Sequence, residues 1–307
     1  MIQTIPYLNT GDTVLIVSPA KAIEEKFIHL AIELFTRWGL NVEVGENALG
    51  THEYFSGTDE ERAADMQWAL NHPTAKAIIC SRGGYGSIRV VDEVDYSQFR
   101  KNPKWLVGFS DITIFHNMLH QVLNLPSLHA FAILFLDRLT DDSMSVLTLK
   151  NALFGNPMEI KAPSSIENKF GEAEGVLVGG NLAIMESLLG TNLDIDTKGK
   201  ILFIEEISED AYKFDRMLWS LKKAGKIEGL IGLAVGGLTD MKGSMETFGK
   251  SIEELVLEIT KDYSFPIAFN FPVGHEIDNQ TLVLGYAYNL KVSSTGGALK
   301  LMGNGRT

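Results

Sequence analysis

One serine of the chain lies where a nucleophile could be exposed. Ser110 falls in the segment Trp105–Thr113 (WLVGFSDIT), at a predicted turn between a strand and a helix. Such a turn holds a serine Oγ beyond the carboxyl end of the strand, where the first N–H groups of the helix can stabilise an oxyanion. The motif G-x-S-x-G is not matched, because Asp111 and Ile112 follow the serine. Ser110 or Asp111 could instead cap the helix, and taken alone this segment favours the cap.

A glycine-rich segment follows the preceding predicted strand. Residues Ser81–Ser87 (SRGGYGS) contain three glycines, which let the backbone approach a ligand closely and leave N–H groups free to bind an anion. Arg82 beside them favours recognition of a carboxylate. The dinucleotide-binding motif G-x-G-x-x-G is not matched, because Arg89 stands where the glycine after Gly84 and Gly86 would be. A plain tight turn is the alternative.

A histidine and two carboxylates lie on a loop and at a strand end in the second half of the chain. His275 is in the polar loop Pro272–Asn279, and a loop histidine is a better candidate for a general base than one on a helix stripe. Glu205 and Glu206 end a predicted strand, where a carboxylate can reach a ligand at the sheet edge. Because adjacent residues of an extended chain face opposite ways, we expect only one of the two to point into a site. Exposed surface carboxylates are the alternative.

Other motif-like segments do not fit a metal or nucleotide site. His116 and His120 have the spacing of a two-histidine metal site, but Asn117 stands where H-E-x-x-H has glutamate, which favours a half-buried helix face. Gly243–Ser251 fails the phosphate-loop pattern, because five residues separate its glycines instead of four. Cys80 is the one cysteine and forms no internal disulfide. We therefore expect neither a metal nor a cofactor.

Composition restricts the class of protein. Of the 307 residues, 45% are hydrophobic and 21% charged, which is typical of a globular protein with a sizeable core. The formal net charge of −12 and the lack of a basic run argue against nucleic acid as a partner. The longest apolar run, Ala130–Leu136, has seven residues, whereas a membrane helix needs about 18. No Lys or Arg precedes Lys21, so no secretory signal peptide is indicated, and we expect a soluble, cytoplasmic protein.

Strands and helices alternate along the first half of the chain. Thr13–Val17 predicts a strand, Ile23–Trp38 a helix and Asn41–Val44 a second strand, an order typical of a parallel sheet. A helix is expected over 58–71, with Thr58 and Glu61 as a capping box. Strand, helix, strand and helix then follow over 77–80, 87–93, 104–107 and 112–123.

This alternation predicts an α/β protein with two domains. Residues 1–155 form an N-terminal doubly wound domain with a parallel sheet, and the polar residues 156–174 form a linker. Residues 175–307 form a second, more strand-rich α/β domain. Its strands are expected over 175–178, 201–204, 230–235 and 281–284, separated by helices over 182–189, 214–223 and 252–262.

Taken together, the motif segments resemble the L,D-carboxypeptidases of the muramoyl-tetrapeptide type, a family whose members also include microcin-immunity serine peptidases. The resemblance rests on seven segments of similar order and spacing: Arg82–Gly86 (RGGYG), Gly108–Thr113 (GFSDIT), Gly179–Leu182 (GGNL), Ser187–Thr191 (SLLGT), Ile201–Glu206 (ILFIEE), Asp215–Leu218 (DRML) and Gly274–Asn279 (GHEIDN). Two departures stand out. His129–Phe131 replaces the His-Gly-Pro that family members often have, which is expected to reshape the pocket, and Val283 stands where many have proline.

The resemblance implies a Ser–Glu–His triad at the junction of the two domains. Ser110 is then the nucleophile and His275 the base that takes its proton. Glu205 is the carboxylate that fixes the histidine tautomer and stabilises the imidazolium.

The same resemblance implies how the substrate is held. The N–H of Asp111 and an N–H of Gly83 or Gly84 form the oxyanion hole. Apart from the resemblance, the residues themselves lead us to expect that Arg82 and Tyr85 contact the substrate. Arg82 is expected at the terminal carboxylate, because a chain of net charge −12 needs a local cation to bind an anionic peptide. The resemblance also implies a homodimer.

Three functions are compatible with these residues. The first is a metal-independent serine carboxypeptidase that removes the terminal D-alanine from murein tetrapeptide during cell-wall recycling. The second is an amidase that detoxifies a peptidyl-nucleotide antibiotic, ranked lower because the short segment between Glu206 and Asp215 leaves little room for a nucleotide-binding loop. The third is a non-catalytic muropeptide-binding protein, in which Ser110 only caps a helix and lies beyond reach of His275.

Overall fold

Two β-sheets with helices packed against them make up the computed structural model, which describes residues 3–303. Within those residues the first sheet has six strands and the second has seven. The predicted α/β class, with a parallel first sheet and a second strand-rich part, is confirmed. The outer bounds predicted for the two domains, residues 1 and 307, lie outside the described residues.

The regular elements follow the chain in this order. The strands are β1 (Thr13–Val17), β2 (Asn41–Val44), β3 (Ala77–Cys80), β4 (Trp105–Gly108), β5 (Ser127–His129), β6 (Glu159–Ala162), β7 (Gly171–Asn181), β8 (Ile201–Ile207), β9 (Gly232–Thr239), β10 (Ile267–Ala268), β11 (Leu282–Leu284), β12 (Ala287–Ser293) and β13 (Gly296–Leu301). The α-helices are α1 (Glu25–Arg37), α2 (Asp59–Asn71), α3 (Ser97–Lys101), α4 (Thr113–Asn117), α5 (Met144–Phe154), α6 (Leu182–Ser187), α7 (Ala211–Lys223), α8 (Ser244–Phe248) and α9 (Ile252–Thr260). In the part of the chain that is described, none of these helices has both the length and the hydropathy that crossing a membrane requires.

The first sheet has the strand order β11-β5-β4-β3-β1-β2, and β1 to β5 run parallel to one another. Its central strands are apolar on both faces because both faces are covered. In β1, for example, Val14 and Ile16 belong to one hydrophobic core and Leu15 and Val17 to another. This explains why the sequence shows an unbroken apolar run here and no alternation.

One strand of the first sheet comes from the far end of the chain. Residues 281–284, expected in the second domain, form β11, which is antiparallel to β5 and pairs Leu282 with His129. The chain then returns to the second sheet with β12 and β13. A short apolar run predicts a strand but does not indicate which sheet that strand joins.

The second sheet has the order β10-β9-β8-β7-β12-β13-β6, parallel from β7 to β10 and antiparallel in the rest. Residues 156–174, expected to be a linker, contain the edge strand β6 and the start of β7. In β6 the exposed Glu159 and Lys161 alternate with the buried Ile160 and Ala162. Four alternating residues in a polar segment are too few to reveal a strand with one exposed face.

The two sheets share a hydrophobic core. Val107 of β4, Phe203 of β8 and Leu290 of β12 belong to the same cluster of buried side chains. Since this packing joins the sheets directly, side chains at the ends of β4 and β8 can be held at a fixed separation.

The segment 112–123, predicted as one helix, has an irregular backbone. A 3₁₀ turn, Ser110–Ile112, precedes α4, and a π-helical turn, Met118–Val122, follows it. Irregular turns of this kind often occur at functional sites.

Candidate active site

Ser110 lies at the carboxyl end of β4, in the strand-to-helix turn that the sequence predicts. Its φ angle is 62°, in the left-handed region that costs a non-glycine residue about 1–3 kcal/mol. Its neighbours Phe109 and Asp111 are buried, whereas Ser110 is partly exposed. A Cβ at Gly108 would come within 2.9 Å of Ile112, so glycine is needed for the turn to pack this closely.

His275 lies between Ser110 and Glu205. Its Nε2 is 3.1 Å from Ser110 Oγ, and its Nδ1 is 2.7 Å from Glu205 Oε2. With Nδ1–H donating to the carboxylate, the lone pair of Nε2 faces the serine hydroxyl and can take its proton. The fold therefore brings together a serine and a histidine that are 165 residues apart. The 3.1 Å between His275 Nε2 and Ser110 Oγ argues against the third function, a non-catalytic binding protein in which Ser110 lies beyond reach of His275.

The surroundings of His275 favour its protonated form. Burial opposes a charge on the ring, but the hydrogen bond to Glu205 and the negative charges of Glu205 and Glu206 outweigh it, so the pKa of His275 is raised. The ring also packs on Phe109, with 4.8 Å between the ring centroids. A raised pKa suits a base that must hold the serine proton until a leaving group takes it.

Both carboxylates at the end of β8 are buried, so the alternative of exposed surface carboxylates is wrong. Glu205 is 0% exposed and Glu206 is 2% exposed. Glu205 contacts His275, whereas Glu206 accepts hydrogen bonds from the Asn181 side chain at 3.0 Å and from Ala183 N–H at 2.7 Å. Burial raises the pKa of Glu206 to about 6, although these bonds oppose the shift.

The loop that carries His275 is closed by Asn279. The Oδ1 of Asn279 accepts a hydrogen bond from Gly274 N–H at 2.9 Å. Gly274 has a φ of 115°, and a Cβ there would lie 2.7 Å from Glu205 Cβ, so only glycine lets the loop pass so close to the carboxylate. Sequence reasoning named Gly274 and Asn279 within a motif and gave them no role. A glycine and an asparagine on either side of a loop histidine were the signal in the sequence that the loop is closed by a hydrogen bond.

The glycine-rich turn lies against the nucleophile through Gly83. A Cβ at Gly83 would lie 3.0 Å from Ser110 Cβ and 3.1 Å from Asp111 N. A Cβ at Gly84 would instead approach the side chain of Lys21. The backbones of Gly83 and Asp111 thus meet beside Ser110, where an oxyanion would need N–H donors.

Two buried side chains hold the glycine-rich turn in place. Asp111 Oδ2 accepts a hydrogen bond from Ser87 N–H at 2.8 Å, and burial raises the pKa of Asp111 although this bond opposes the shift. Arg62 Nη1 donates to Gly86 O at 3.0 Å and to Pro19 O at 2.6 Å. Sequence reasoning did not identify Arg62, because it stands among other charged residues of α2 with no motif to mark it.

Arg82 and Tyr85 lie on the outer part of the same turn. Arg82 is partly buried and donates a hydrogen bond to Ala22 O at 3.3 Å. Burial lowers its pKa, and no carboxylate among residues 3–303 is paired with it. Tyr85 is 50% exposed, with its ring 6.0 Å from that of Phe55. Arg82 is thus available to an anion, while Tyr85 lies on the surface.

His116 is bonded to the end of β4, just before Ser110, and His120 lies on the π-helical turn that follows α4. His116 Nε2 donates to Gly108 O at 2.9 Å, and burial lowers the pKa of each histidine to about 4. The described segment 3–303 holds no group of three His, Cys, Asp or Glu side chains placed for a metal ion. The Cys80 thiol is buried, which raises its pKa.

Comparison with known families identifies the chain. Residues 14–130 match the model of the LD-carboxypeptidase N-terminal domain, and residues 174–290 match the model of the LD-carboxypeptidase C-terminal domain. The chain belongs to the LD-carboxypeptidase family. The resemblance of its motifs is thereby confirmed, and the family together with its carboxypeptidase-named relatives shows the chain to be a serine-type carboxypeptidase.

Individual relatives agree with the family models. The LD-carboxypeptidase is 34% identical over 272 residues to a Bacillus subtilis protein named probable murein peptide carboxypeptidase, covering 87% of this chain and 85% of that protein. It is 26% identical over 282 residues to the murein tetrapeptide carboxypeptidase of Pseudomonas aeruginosa, covering 89% and 91%. The crystal structure of muramoyltetrapeptide carboxypeptidase from Oxalobacter formigenes superposes with a TM-score of 0.84 at 26% identity, covering 96% and 100%.

Proposed function

We propose that this LD-carboxypeptidase removes the terminal D-alanine from murein tetrapeptide with Ser110, His275 and Glu205 as its triad. The observation that carries the proposal is the contact of His275 with both partners, at 3.1 Å to Ser110 Oγ and 2.7 Å to Glu205 Oε2. The names of the relatives in Bacillus subtilis and Pseudomonas aeruginosa support murein peptide as the substrate class. We assign the reaction to cell-wall recycling in the cytoplasm and expect a homodimer.

The first half of the reaction forms an acyl-enzyme. His275 Nε2 takes the proton of Ser110 Oγ as that oxygen attacks the carbonyl carbon of the scissile bond. The resulting oxyanion accepts hydrogen bonds from Asp111 N–H and from an N–H of Gly83 or Gly84. Collapse of this intermediate breaks the C–N bond, and the proton on His275 passes to the amine of D-alanine.

The second half releases the shortened peptide. Water attacks the ester carbonyl on Ser110, and His275 takes a proton from the water and returns it to Ser110 Oγ. Glu205 keeps Nδ1 protonated throughout and stabilises the imidazolium in both transition states.

Replacement of the nucleophile tests the proposal. Wild-type protein incubated with murein tetrapeptide is expected to release D-alanine, measured by mass spectrometry. In Ser110→Ala, kcat is expected to fall by about 10⁴-fold or more, because the covalent route is lost. The circular dichroism spectrum and Tm are the controls for folding. Near wild-type turnover by the variant contradicts the triad, and no turnover by the wild type contradicts the substrate.

A peptidyl-nucleotide in the same assay tests the amidase alternative. The connection between β8 and α7 is Ser208–Asp210, which leaves no added loop there to contact a nucleotide. The structure of MccF with glutamyl sulfamoyl guanosine, at 19% identity and a TM-score of 0.84, shows a likeness of fold alone. We therefore expect tetrapeptide to have the higher kcat/KM.

A further inference from the structure

A guanidinium outside every sequence motif borders the proposed active site. Arg138 ends the 3₁₀ segment Ile133–Arg138 and lines a cavity of about 150 Å³ together with His275. It also lines a neighbouring cavity of about 620 Å³ that contains Arg82. Arg138 lines both cavities, and we call the two together the arginine groove. The larger cavity is within the usual size range for ligand pockets, and the smaller one adds the space next to His275.

The cations of the arginine groove differ in how well they are paired. Lys26 lies 3.3 Å from Glu24, so these two charges offset each other. Arg138 Nε lies 3.9 Å from Asp137 Oδ1, at the limit of an ion pair, and its side chain is 67% exposed. Arg82 has no carboxylate partner among the residues that the structure describes. The carboxylates of Glu24, Asp137 and Glu276 also line the two cavities, and Arg82 and Arg138 are the lining cations whose charge is least offset by a close carboxylate. These two guanidinium groups are therefore the ones that an anion can bind.

We propose that Arg138 binds a second carboxylate of the substrate, while Arg82 binds the terminal one. This proposal rests on the proposed function, because a murein tetrapeptide carries more than one carboxylate. Besides the terminal group of D-alanine, it has the α-carboxylate of its γ-linked D-glutamate and the side-chain carboxylate of diaminopimelate. A guanidinium donates two parallel hydrogen bonds to such a group. Arg138 is thus a specificity residue that favours peptides with a carboxylate on their D-glutamate or diaminopimelate residue.

Binding measurements test this proposal separately from turnover. Kd is measured by calorimetry for Ser110→Ala and for Ser110→Ala/Arg138→Ala, which leave the peptides intact. The probes are the natural tetrapeptide, one with D-isoglutamine for D-glutamate, and one with lysine for diaminopimelate. Loss of Arg138 is expected to weaken binding of the natural peptide about 3- to 10-fold, a modest factor because the side chain is exposed.

The modified peptides then identify which carboxylate Arg138 binds. For the peptide that lacks this carboxylate, loss of Arg138 is expected to change Kd by less than about 2-fold, because the interaction is already absent. For the other modified peptide, the full loss is expected. In the Ser110→Ala background, Arg138→Lys is expected to restore part of the affinity, because it keeps the charge without the bidentate geometry.

Arg100→Ala in the same background is the matched control. Arg100 is exposed on α3 and lines neither cavity, so its removal changes the net charge equally and is expected to leave Kd unchanged. Equal losses of affinity for all three peptides after Arg138→Ala, or no loss for the natural one, overturn the proposal. Failure of the wild type to release D-alanine while this pattern of binding holds overturns the proposed reaction alone. Absence of binding by any peptide overturns both.

Discussion

The nucleophile side and the base side of the active site are built in different ways. The nucleophile turn and the glycine-rich turn follow β4 and β3, which are neighbours in one sheet, and the bond between Asp111 and Ser87 spans 24 residues. On the base side, Glu205 ends β8, and His275 lies on a loop 70 residues further along the chain. The nucleophile side therefore depends on local turns, and the base side on the meeting of distant elements.

The two sides also use different forces. On the nucleophile side, buried polar groups hold backbone: Asp111 binds Ser87 N–H, and Arg62 binds Gly86 O. On the base side, a buried carboxylate holds a titrating ring and changes its pKa. Substitutions on the nucleophile side should therefore lower the rate without changing its pH dependence. Substitutions on the base side should shift the pH profile of the rate.

The largest effect is expected from Glu205→Gln. Loss of the carboxylate removes the group that orients His275, and kcat is expected to fall roughly 10³- to 10⁴-fold. The acid limb of the kcat/KM profile is the pH range in which activity falls because His275 becomes protonated. Since Glu205 raises the pKa of His275, this limb should move to lower pH in the variant. The pH dependence of D-alanine release measures both changes. An acid limb that stays in place would contradict the assigned contact.

Asp111→Ala tests the nucleophile side. Without the bond to Ser87 N–H, the turn that places Gly83 beside Ser110 loosens, and kcat is expected to fall roughly 10- to 100-fold. Asp111→Asn keeps an acceptor for Ser87 N–H and should recover most of the rate. Both variants should keep the wild-type acid limb in steady-state assays. A shift of that limb would show that the two sides are not separate in the way described.

Arg82→Ala is expected to act on substrate binding. Arg82 lies beside the oxyanion turn with no carboxylate partner among the described residues, so it can bind the terminal carboxylate of the peptide. Its loss should raise KM roughly tenfold, the effect of a lost charge-assisted hydrogen bond, with a smaller change in kcat. Michaelis–Menten kinetics with tetrapeptide measure the two constants. An unchanged KM would leave Arg82 as a structural residue that binds Ala22 O.

The smallest effect is expected from Glu206→Gln. Its charge raises the pKa of His275 without a hydrogen bond, so the acid limb should move to lower pH by less than in Glu205→Gln, with kcat reduced about 2- to 5-fold. The pKa of Glu206 is about 6, so wild type and variant should converge below that pH, where Glu206 is protonated. Rate profiles from pH 5 to 9 compare the two variants. A Glu206→Gln shift as large as that of Glu205→Gln would overturn the distinction between the two carboxylates.

The sequence predicts elements built from neighbouring residues better than elements built from distant ones. The strands β1 to β4, the capping box of Thr58 and Glu61, and the turn at Ser110 were predictable, because each depends on residues close in sequence. Strand β6 lies in the residues predicted to be a linker, and β11, predicted in the second domain, joins the first sheet. Arg62 and Arg138 carried no local signal, since their roles come from what packs around them.

The sequence by itself determined the α/β class, the parallel strands of the first half and the strand-to-helix turn at Ser110, because apolar runs, caps and glycines act over a few residues. Motif resemblance added the pairing of Ser110, Glu205 and His275, which no spacing shows. Only the tertiary structure shows the contacts that separate the two carboxylates, with Glu205 bonded to His275 and Glu206 bonded to Asn181 and Ala183. It alone decided that β11 crosses into the first sheet and that Arg138 shares a groove with Arg82. These contacts join residues far apart in the chain, so they exist only once the shared core has brought the two sheets together.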